Sequence, residues 1–388
     1  MSRRHTNLRI IIATLLRETG ESGVQTHFNA LRDYARSVGV EVEVVTPFSG
    51  PRWLVYPLFA VRRVIDRLHG EASIWWYRHW HRFFLYEALR RKLATCGPAV
   101  VYAVCPSSAK VALDARVPGR HRVVMSVHFG ISEADEWAGK GIIPAHGRLH
   151  QAITRFEADV LPRVDGMVYV SRFLQKTLEQ RIPALAKTPS AVIPNFCAVP
   201  PRPVDPATAS GLISVGILAP PKNQQFLLRV LAEAAREGKR YDLTLMGEGP
   251  DRGKLERLAR ELGLEKQVRL VGYQPNAARL LSAHRVYVHG SWMETFSIVM
   301  IEAMAAGLPL LAAPVGGVPE VLQDGCEGLF WPLDDPASAA GKLISVMEDP
   351  QLWRRFSSAA RARHAAHFRT DQVAPRLLDF LGEARASA

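Results

Sequence analysis

Short apolar runs alternate with segments of helical periodicity along most of this chain. In the first half, segments such as 24–38 and 149–161 repeat apolar residues at helical spacing, and six apolar runs of strand length lie around such segments. These predicted strands are Ile10–Leu15, Val42–Thr46, Val100–Val104, Val123–Val127, Gly166–Val170 and Ala191–Ile193. Apolar strands that alternate with helices predict a mostly parallel sheet with helices on both faces.

A proline-rich segment interrupts this pattern near the middle of the chain. Residues 197–206 contain four prolines, which a central strand or a helix interior does not tolerate, so the segment predicts a linker between domains. Beyond it the alternation resumes, with predicted strands Leu212–Val215, Asp242–Met246, Val268–Val271, Val286–His289 and Pro309–Ala313. The helices predicted between and after them are Gln224–Glu237, Asp251–Leu262, Asn276–Ala283 and Ser297–Ala306, with a helical pattern over 336–385.

The length of 388 residues fits two such domains. We therefore predict an α/β protein with two doubly wound units, over 1–200 and 205–370, and a last helix over 371–388 that packs back toward the first unit. The four cysteines show neither Cys-x-x-Cys nor zinc-ligand spacing, which indicates free thiols in a reducing compartment. The apolar run 8–16 is too short to span a bilayer, so we expect a cytoplasmic protein.

The net charge of +12 is concentrated in the first half of the chain. Residues 1–200 carry 27 Lys and Arg against 16 Asp and Glu, whereas 201–388 carry 22 against 21. Within the first half, residues 51–92 combine ten aromatic side chains with nine Lys and Arg and three acids. This composition fits two core helices with snorkelling arginines, an interfacial patch for anionic membranes, or a surface for single-stranded nucleic acid. The rest of the sequence contains no nucleic-acid-binding module, so we expect no nucleic-acid partner.

The strongest chemical signal is a pair of glutamates, Glu294 and Glu302, that follows a predicted strand. The apolar positions around Glu302 suit a helix docked on a sheet, which places Glu294 in a turn and the helix start near Phe296. Unpaired N–H groups and the positive dipole end at such a start suit a diphosphate. A carboxylate within the apolar run around Glu302 needs a partner or a ligand, and the two hydroxyls of a ribose would provide one.

With the segments around it, this pair resembles the E-x7-E signature of the retaining GT4 glycosyltransferases, which have the GT-B fold. Five further segments resemble family motifs and occur in the family's order, so the resemblance covers residues 8–370 approximately. They are Ile193–Asn195, Val215–Leu218 with Lys222, Met246–Pro250, Val271–Tyr273 and Pro314–Glu320. The resemblance implies two Rossmann-like domains that face each other across a cleft, with the acceptor on the side of 1–200 and the nucleotide sugar bound by 205–370.

The resemblance also implies roles for individual residues. Lys222 would stabilise the departing diphosphate, Glu294 would bind hydroxyls of the donor sugar, and His128 would contact that sugar from the first domain. The full set implied to bind the donor is Gly23, Gly216, Lys222, Gly247, Gly272, Tyr273, Glu294, Phe296, Ser297, Ile298 and Glu302. No covalent nucleophile is assigned, because the sequence does not contain an evident one.

The chain departs from the family pattern at several of these positions. Ile217 stands where the family has a phosphate-binding arginine, which removes a bidentate cation from the leaving group. Phe129 replaces an aspartate after His128, and Thr295 and Ser297 replace two glycines of the E-x7-E turn. Sugar specificity therefore does not follow from the family motif.

These observations predict an enzyme that moves a sugar from a UDP- or GDP-linked donor to an acceptor hydroxyl with retained anomeric configuration. We expect a saccharide or lipid-linked acceptor in surface polysaccharide or glycoconjugate synthesis. As a further partner we expect an anionic membrane surface, the inner face of the cytoplasmic membrane. No cofactor or metal is expected, since the chain contains no Asp-x-Asp triplet. Two alternatives stay open: a nucleotide-sugar epimerase or phosphorylase of the same fold, and a non-catalytic basic adaptor for membranes or nucleic acid.

Overall fold

A computed structural model describes residues 8–20, 22–50, 52–198, 204–274 and 280–386. The chain divides into two compact units: unit 1 comprises Met1–Pro194 and Val373–Ala388, and unit 2 comprises Asn195–Gln372. Residues 195–198, which the sequence places in the first domain, belong to unit 2. Part of the predicted linker, 199–203, and the start of the predicted helix Asn276–Ala283 lie outside the described residues.

Unit 1 is built on a six-stranded parallel sheet whose order is β2-β1-β3-β4-β5-β6. The strands are β1 (Arg9–Ala13), β2 (Glu41–Val45), β3 (Ala99–Ala103), β4 (His121–Val127), β5 (Gly166–Tyr169) and β6 (Ser190–Val192). β-branched residues of the central strands, such as Ile11, Val101 and Val124, are completely buried. Burial on both faces is the reason these strands read as continuous apolar runs rather than as alternating patterns.

The helices of unit 1 connect these strands and cover the sheet. They are α1 (Gly23–Ser37), α2 (Arg52–Leu68), α3 (Gly70–Thr95), α4 (Pro106–Ala115), α5 (Glu133–Gly139), α6 (Arg148–Val160) and α7 (Arg172–Arg181). The last helix of the chain, Thr370–Ala386, belongs to unit 1 from Val373 onward. Its Arg376 donates a hydrogen bond to the Val192 carbonyl, and its Phe380 ring packs against Gly166.

Unit 2 has a second six-stranded parallel sheet, in the order β12-β11-β10-β7-β8-β9. Its strands are β7 (Leu212–Val215), β8 (Leu243–Met246), β9 (Val268–Gly272), β10 (Val286–His289), β11 (Leu310–Ala312) and β12 (Gly328–Phe330). The apolar pattern does not predict β12, because this strand has only three residues and begins with glycine. Its parallel pairing with β11 places it at the edge of the sheet.

The helices of unit 2 pack around this sheet, and Trp331, which follows β12, fixes the end of a central strand. The helices are α8 (Gln224–Arg236), α9 (Arg252–Glu261), α10 (Ile298–Ala306), α11 (Val318–Val321), α12 (Pro336–Glu348) and α13 (Pro350–His367), and the terminal helix is α14. Trp331 is buried against Phe226 and donates a hydrogen bond from its indole to the His289 carbonyl. The carboxyl end of β10 is thereby fixed to the core of unit 2.

Candidate active site

The strand order of unit 2 creates a switch point between β7 and β10. From β7 the chain builds outward through β8 and β9, and it then returns to form β10 on the opposite side of β7. Open α/β sheets bind ligands at such a point, outside the carboxyl ends of the strands. Lys222 follows β7, and Glu294 and the start of α10 follow β10. The fold therefore brings these sequence-predicted residues to one place.

Three glycine loops at the ends of β7, β8 and β9 form a hydrogen-bonded rim beside this point. The Gly216 amide donates to the Met246 carbonyl and the Gly247 amide donates to the Gly272 carbonyl, both at 2.9 Å. Gly247 has a φ of 138°, and a Cβ there would lie 2.0 Å from the Gly216 carbonyl oxygen. Only glycine permits this approach of two backbones. Tyr273, which follows Gly272, exposes its ring at the same rim.

Lys222 is presented by a short 3-10 turn, Pro220–Lys222, that leads from β7 into α8. Trp292, in the loop after β10, fastens this turn. Its amide donates to the Pro221 carbonyl at 3.2 Å, and its indole Nε1 donates to the Pro220 carbonyl at 2.9 Å. The loops that follow β7 and β10 are thus joined through their backbones, which fixes the base from which the Lys222 side chain extends.

Glu294 lies between two basic side chains. Its Oε2 is 2.6 Å from Lys222 Nζ and 3.3 Å from His289 Nε2, and its side chain is only 11% exposed. Burial by itself would raise the pKa of Glu294, but Lys222 and then His289 outweigh burial and hold this pKa well below its ordinary value. Burial lowers the pKa of His289, so its imidazole is neutral near pH 7. The site therefore offers an ionised carboxylate paired with an ammonium group.

The start of α10 differs from the prediction. The sequence places it near Phe296, whereas the helix begins at Ile298 with Ser297 as its N-cap. Phe296 is instead anchored in the core: its ring packs on Phe368, and its carbonyl accepts a hydrogen bond from Asn195. A donor contact at Phe296 would therefore have to come from its main chain. The Ser297 side chain makes no capping hydrogen bond, so it leaves the N–H groups of the first turn of α10 unoccupied.

Glu302 lies within the second turn of α10 and is half-buried. Burial raises its pKa to about 7, with no contribution from a charged or hydrogen-bonded neighbour among the described residues. Burial and then Glu294 and Glu302 raise the pKa of the buried Tyr287, so both carboxylates act on the same phenol. An ionisable group in this environment gains from a ligand that supplies hydrogen bonds.

In unit 1, His128 directly follows β4. Its Nε2 lies 2.9 Å from Ser126 Oγ, and its ring centroid lies 4.5 Å from that of His27. Burial and then His27 lower the pKa of His128 well below its ordinary value, so the imidazole is neutral near pH 7. Gly23 is the first residue of α1 and its N-cap is Ser22. Ser22 and His128 line one cavity of about 310 Å³.

His289 and Trp292 contribute to the site but are absent from the sequence-predicted set. His289 ends a buried parallel strand, and a polar residue at that position is a signal that could have identified it. No local signal identifies Trp292, because its contact with Pro220 depends on the adjacency of β7 and β10. Ile217 is 46% exposed, so an apolar side chain occupies the rim position of the family's arginine.

The part of the chain that the structure describes contains neither a cluster of candidate metal ligands nor a helix that could span a membrane. No group of three or more His, Cys, Asp or Glu side chains there is arranged to hold a metal ion. None of the helices there combines enough length with enough apolar character to cross a membrane.

The aromatic and basic segment 51–92 contributes to both the core and the surface of unit 1. Arg78 is buried and its guanidinium pairs with Glu133 at 2.6 Å, so it is not available to a membrane. Arg82 is partly buried and donates to the Arg78 carbonyl. Arg90 and Arg91, by contrast, are 55% and 66% exposed. All four lie on one helix, α3, and the sequence alone did not separate the two pairs.

The tryptophans of the same segment divide in a similar way. Trp53 and Trp75 are 77% and 57% exposed, and Phe83 is 48% exposed. Trp76 and Trp80 are partly buried, and the Trp76 indole donates a hydrogen bond to the Leu58 carbonyl. Core packing and exposed aromatic side chains therefore coexist on α2 and α3.

Family profiles match the chain on both sides of the linker. The profile of glycosyl transferases group 1 matches residues 204–363, and that of glycosyltransferase family 4 matches residues 22–198. Similar curated proteins include N-acetyl-alpha-D-glucosaminyl L-malate synthase of Bacillus anthracis, which is 34% identical over 34% of each chain. The lipopolysaccharide core biosynthesis glycosyltransferase LpsD of Rhizobium meliloti is 30% identical over 48% of this chain and 56% of its own.

The matches to the two curated relatives span 34% and 56% of the relatives' own lengths. Solved structures match more of the fold. Sucrose-phosphate synthase from Thermosynechococcus elongatus aligns with a TM-score of 0.75 and 17% identity over 98% of this chain and all of its own. Anabaena HepE in complex with UDP-glucose aligns with a TM-score of 0.68 and 18% identity over 98% of this chain and 100% of its own. At these identities the likeness confirms the fold, GT-B with two Rossmann-like domains.

Proposed function

This chain belongs to the GT4-type glycosyltransferases, and we propose that it transfers a sugar from a UDP- or GDP-linked donor to an acceptor hydroxyl with retention of anomeric configuration. The observation that carries the proposal is the Lys222–Glu294 pair at the switch point of unit 2, with Glu302 one turn into the adjoining helix. A cation, a helix start and two carboxylates are the groups that a diphosphate, a sugar and a ribose require.

The donor diphosphate would take over Lys222 from Glu294. In the free protein the ammonium is 28% exposed, so a phosphate can reach it. The glycine rim and the first turn of α10 would supply main-chain donors to the remaining phosphate oxygens. Since Ile217 provides no cation, the leaving group would depend on Lys222 and on these main-chain groups. Preorganised donors of this kind would stabilise the charge that develops on the departing diphosphate and would thereby accelerate the transfer.

The two carboxylates would then hold different parts of the donor. Glu294, freed from Lys222 but still beside His289, would accept hydrogen bonds from hydroxyls of the donor sugar. Glu302 would accept hydrogen bonds from the ribose hydroxyls, which would satisfy its half-buried carboxylate. Tyr273 at the rim would lie beside the base. His128 is proposed to contact the sugar as a neutral imidazole, and no metal or other cofactor is proposed.

We further propose a saccharide or lipid-linked acceptor of surface polysaccharide or glycoconjugate synthesis, approached from the inner face of the cytoplasmic membrane. The exposed aromatic side chains of α2 and α3, with Arg90 and Arg91, support docking on an anionic membrane. The lipopolysaccharide role in the name of LpsD supports the acceptor class.

Thermal stability measured with nucleotide sugars tests the proposed function. UDP-glucose, UDP-N-acetylglucosamine and GDP-mannose are added separately, with the corresponding sugar 1-phosphates as controls. A donor present at 100 times its dissociation constant should stabilise the protein by about 2.7 kcal/mol. A positive donor is then incubated alone, and slow release of the nucleoside diphosphate is expected. A protein that binds none of them, or that binds one without turnover, contradicts the proposal and favours the adaptor.

A further inference from the structure

Three buried polar side chains lead to His128 along one face of the unit 1 sheet. The parallel register pairs Tyr102 of β3 with Val124 of β4, so Ser126, two residues further along β4, lies on the same face as Tyr102. His27 of α1 packs on this face, and its Nε2 contacts the Tyr102 oxygen. The side chains of His27, Tyr102 and Ser126 are all completely buried, so any effect they have on a ligand must pass through His128.

These three side chains and His128 form a continuous chain of hydrogen bonds. At one end His27 Nε2 lies 2.9 Å from the Tyr102 oxygen, and at the other Ser126 Oγ lies 2.9 Å from His128 Nε2. A side-chain hydrogen bond between Tyr102 and Ser126 joins the two halves. Each hydroxyl has a single proton to donate, so the three bonds can be made together only if they all run in one direction. The protonated nitrogen of one imidazole therefore determines that of the other.

Of the two directions, the acidity of the hydroxyls favours donation from Tyr102 to His27. A phenol is more acidic than an aliphatic hydroxyl, and an imidazole nitrogen is a better acceptor than a hydroxyl oxygen, so this is the strongest bond that the chain can make. Burial raises the pKa of Tyr102, although its hydrogen bond with Ser126 lowers it, so the phenol keeps its proton for this bond. The Ser126 hydroxyl then donates to the Tyr102 oxygen, and His128 donates from Nε2 to Ser126.

This direction leaves the other ring nitrogen of His128 as an acceptor. A neutral imidazole carries a proton on one nitrogen only, so protonation at Nε2 leaves a lone pair on Nδ1. Burial and then His27 lower the pKa of His128, which keeps its imidazole neutral near pH 7. Nδ1 has no hydrogen-bond partner among the described residues, and His128 lines the cavity that includes Ser22. The nitrogen left for a ligand can therefore accept a hydrogen bond but cannot donate one.

We propose that Tyr102 and Ser126 are positioning residues for His128. They hold its ring as the tautomer protonated at Nε2, so that Nδ1 accepts a hydrogen bond from a hydroxyl of the donor sugar. His27 completes the chain by accepting the hydrogen bond from Tyr102. The contact with the sugar rests on the proposed glycosyl transfer, whereas the tautomer does not.

Long-range proton–nitrogen NMR of the protein labelled with ¹⁵N at histidine measures the tautomer near pH 7, and a His128→Gln variant identifies the His128 signals by their loss. We expect a single wild-type tautomer with the proton on Nε2. In Tyr102→Phe the Ser126 hydroxyl has no phenol oxygen to donate to, so it should donate to His128 and the proton should move to Nδ1. Protonation at Nδ1 in the wild type, or the same tautomer in both proteins, overturns the proposal. The wild-type measurement requires no substitution, so it decides even if Tyr102→Phe fails to fold.

Tyr169→Phe is the matched control, because Tyr169 of the adjacent strand β5 is equally buried and its hydroxyl has no hydrogen-bond partner among the described residues. It should keep the wild-type tautomer of His128 and the wild-type kinetics. Tyr102→Phe should lower kcat/KM for the donor about three- to tenfold and leave the affinity for the free nucleoside diphosphate unchanged.

Equal losses of kcat/KM in the two variants, or a changed tautomer with unchanged kcat/KM, overturn the contact between Nδ1 of His128 and the sugar. A wild-type protein without transfer activity contradicts the proposed function instead, and the tautomers of wild type and Tyr102→Phe still decide whether Tyr102 positions His128.

Discussion

Lys222 Nζ and Glu294 Oε2 lie 2.6 Å apart, although the two residues are 72 positions apart in the chain. They meet because β7 and β10 are neighbours in the sheet and both residues follow the carboxyl ends of these strands. The pair keeps Glu294 ionised and holds Lys222 at the position where a diphosphate would bind. Glu302, in the same motif, has no such partner within the described ranges of the chain, and this difference leads to opposite predictions for the two glutamates.

Substitution of the two glutamates by glutamine should change stability in opposite directions at slightly alkaline pH. The folded-state pKa of Glu294 lies below the ordinary value of 4.5. Ionisation of Glu294 therefore stabilises the protein fully above pH 4.5, and this stabilisation is lost as pH falls through the folded-state pKa. Glu294→Gln should therefore lower Tm at pH 8, with a smaller loss below pH 4.5. The folded-state pKa of Glu302 is about 7, so its ionisation opposes folding increasingly from pH 4.5 to 7. Glu302→Gln should raise Tm at pH 8 and change it little near pH 4.5.

Differential scanning fluorimetry at pH 4.5 and pH 8 measures both effects, and each variant is compared with wild type at the same pH. Changes of the same sign for both variants at pH 8 would contradict the opposite environments of the two carboxylates.

Alanine at the same positions should separate binding from turnover. Glu302→Ala should weaken binding of the free nucleoside diphosphate by about 1.5–3 kcal/mol, because a charged hydrogen-bond acceptor for the ribose is lost. Glu294→Ala should not weaken that affinity, because Lys222 is released to the diphosphate when its carboxylate partner is removed. The same change should lower kcat, because the proposed contact with hydroxyls of the donor sugar is lost. Isothermal titration with UDP and GDP, together with steady-state kinetics, measures the two quantities. The same loss of nucleotide affinity in both variants would be incompatible with the proposed roles.

Gly247→Ala should disrupt the glycine rim far more than the same change at Gly263. A Cβ at Gly247 would lie 2.0 Å from the Gly216 carbonyl oxygen, whereas a Cβ at Gly263 would meet nothing within 4 Å. Both glycines have positive φ, so Gly263→Ala should show only the cost of left-handed backbone, about 1–2 kcal/mol. Gly247→Ala should lose more stability and also nucleotide affinity. Tm and nucleotide titration of the two variants check this, and similar losses in both would exclude a special role for the rim.

Sugar transfer should be insensitive to EDTA. The proposed leaving-group contacts are Lys222 and main-chain N–H groups, which need no divalent ion. Activity is measured before and after chelation and again after addition of Mg²⁺ or Mn²⁺. Loss of activity on chelation that either ion restores would show that a metal shares the leaving group.

Binding to anionic vesicles should depend on the exposed arginines of α3 rather than on the buried ones. Each Lys or Arg near an anionic surface contributes about 1 kcal/mol, so a combined Arg90→Glu and Arg91→Glu variant should lose most of the binding. The matched control reverses two exposed charges of unit 2, Arg236 and Lys254, which are 71% and 57% exposed. This control changes the net charge by the same amount but leaves α3 intact, so it should retain binding.

Co-sedimentation with phosphatidylglycerol and with phosphatidylcholine vesicles measures this binding. Wild-type protein should pellet with the anionic vesicles only, and 1 M salt should release it, because the Debye length falls from about 10 Å at 0.1 M to about 3 Å. If wild-type protein stays in the supernatant with anionic vesicles at low salt, the membrane proposal is wrong, and a soluble acceptor becomes the better hypothesis.

Local sequence was sufficient for the alternating α/β pattern and for the segments that end at the site. Strands buried on both faces must be apolar throughout, and helices packed on a sheet repeat apolar residues at helical spacing, so both leave a mark in consecutive residues. Glu294 and Lys222 could be found because each follows such a strand, and Glu302 because it interrupts an apolar helical run; all three belong to short motifs. The start of α10 was misplaced because Phe296 is apolar whether it packs in the helix or, as here, on Phe368.

Tertiary structure alone decided which of these residues meet and what charge they carry. The pairing of Lys222 with Glu294, the fastening of the Pro220–Lys222 turn by Trp292 and the burial of Arg78 against Glu133 depend on strand order and on helix packing. Periodicity reports whether a residue faces a core, but it carries no information about which distant side chain faces it there. A pKa depends on those distant partners and on burial, which is why two glutamates of one motif have opposite shifts that the sequence could not distinguish.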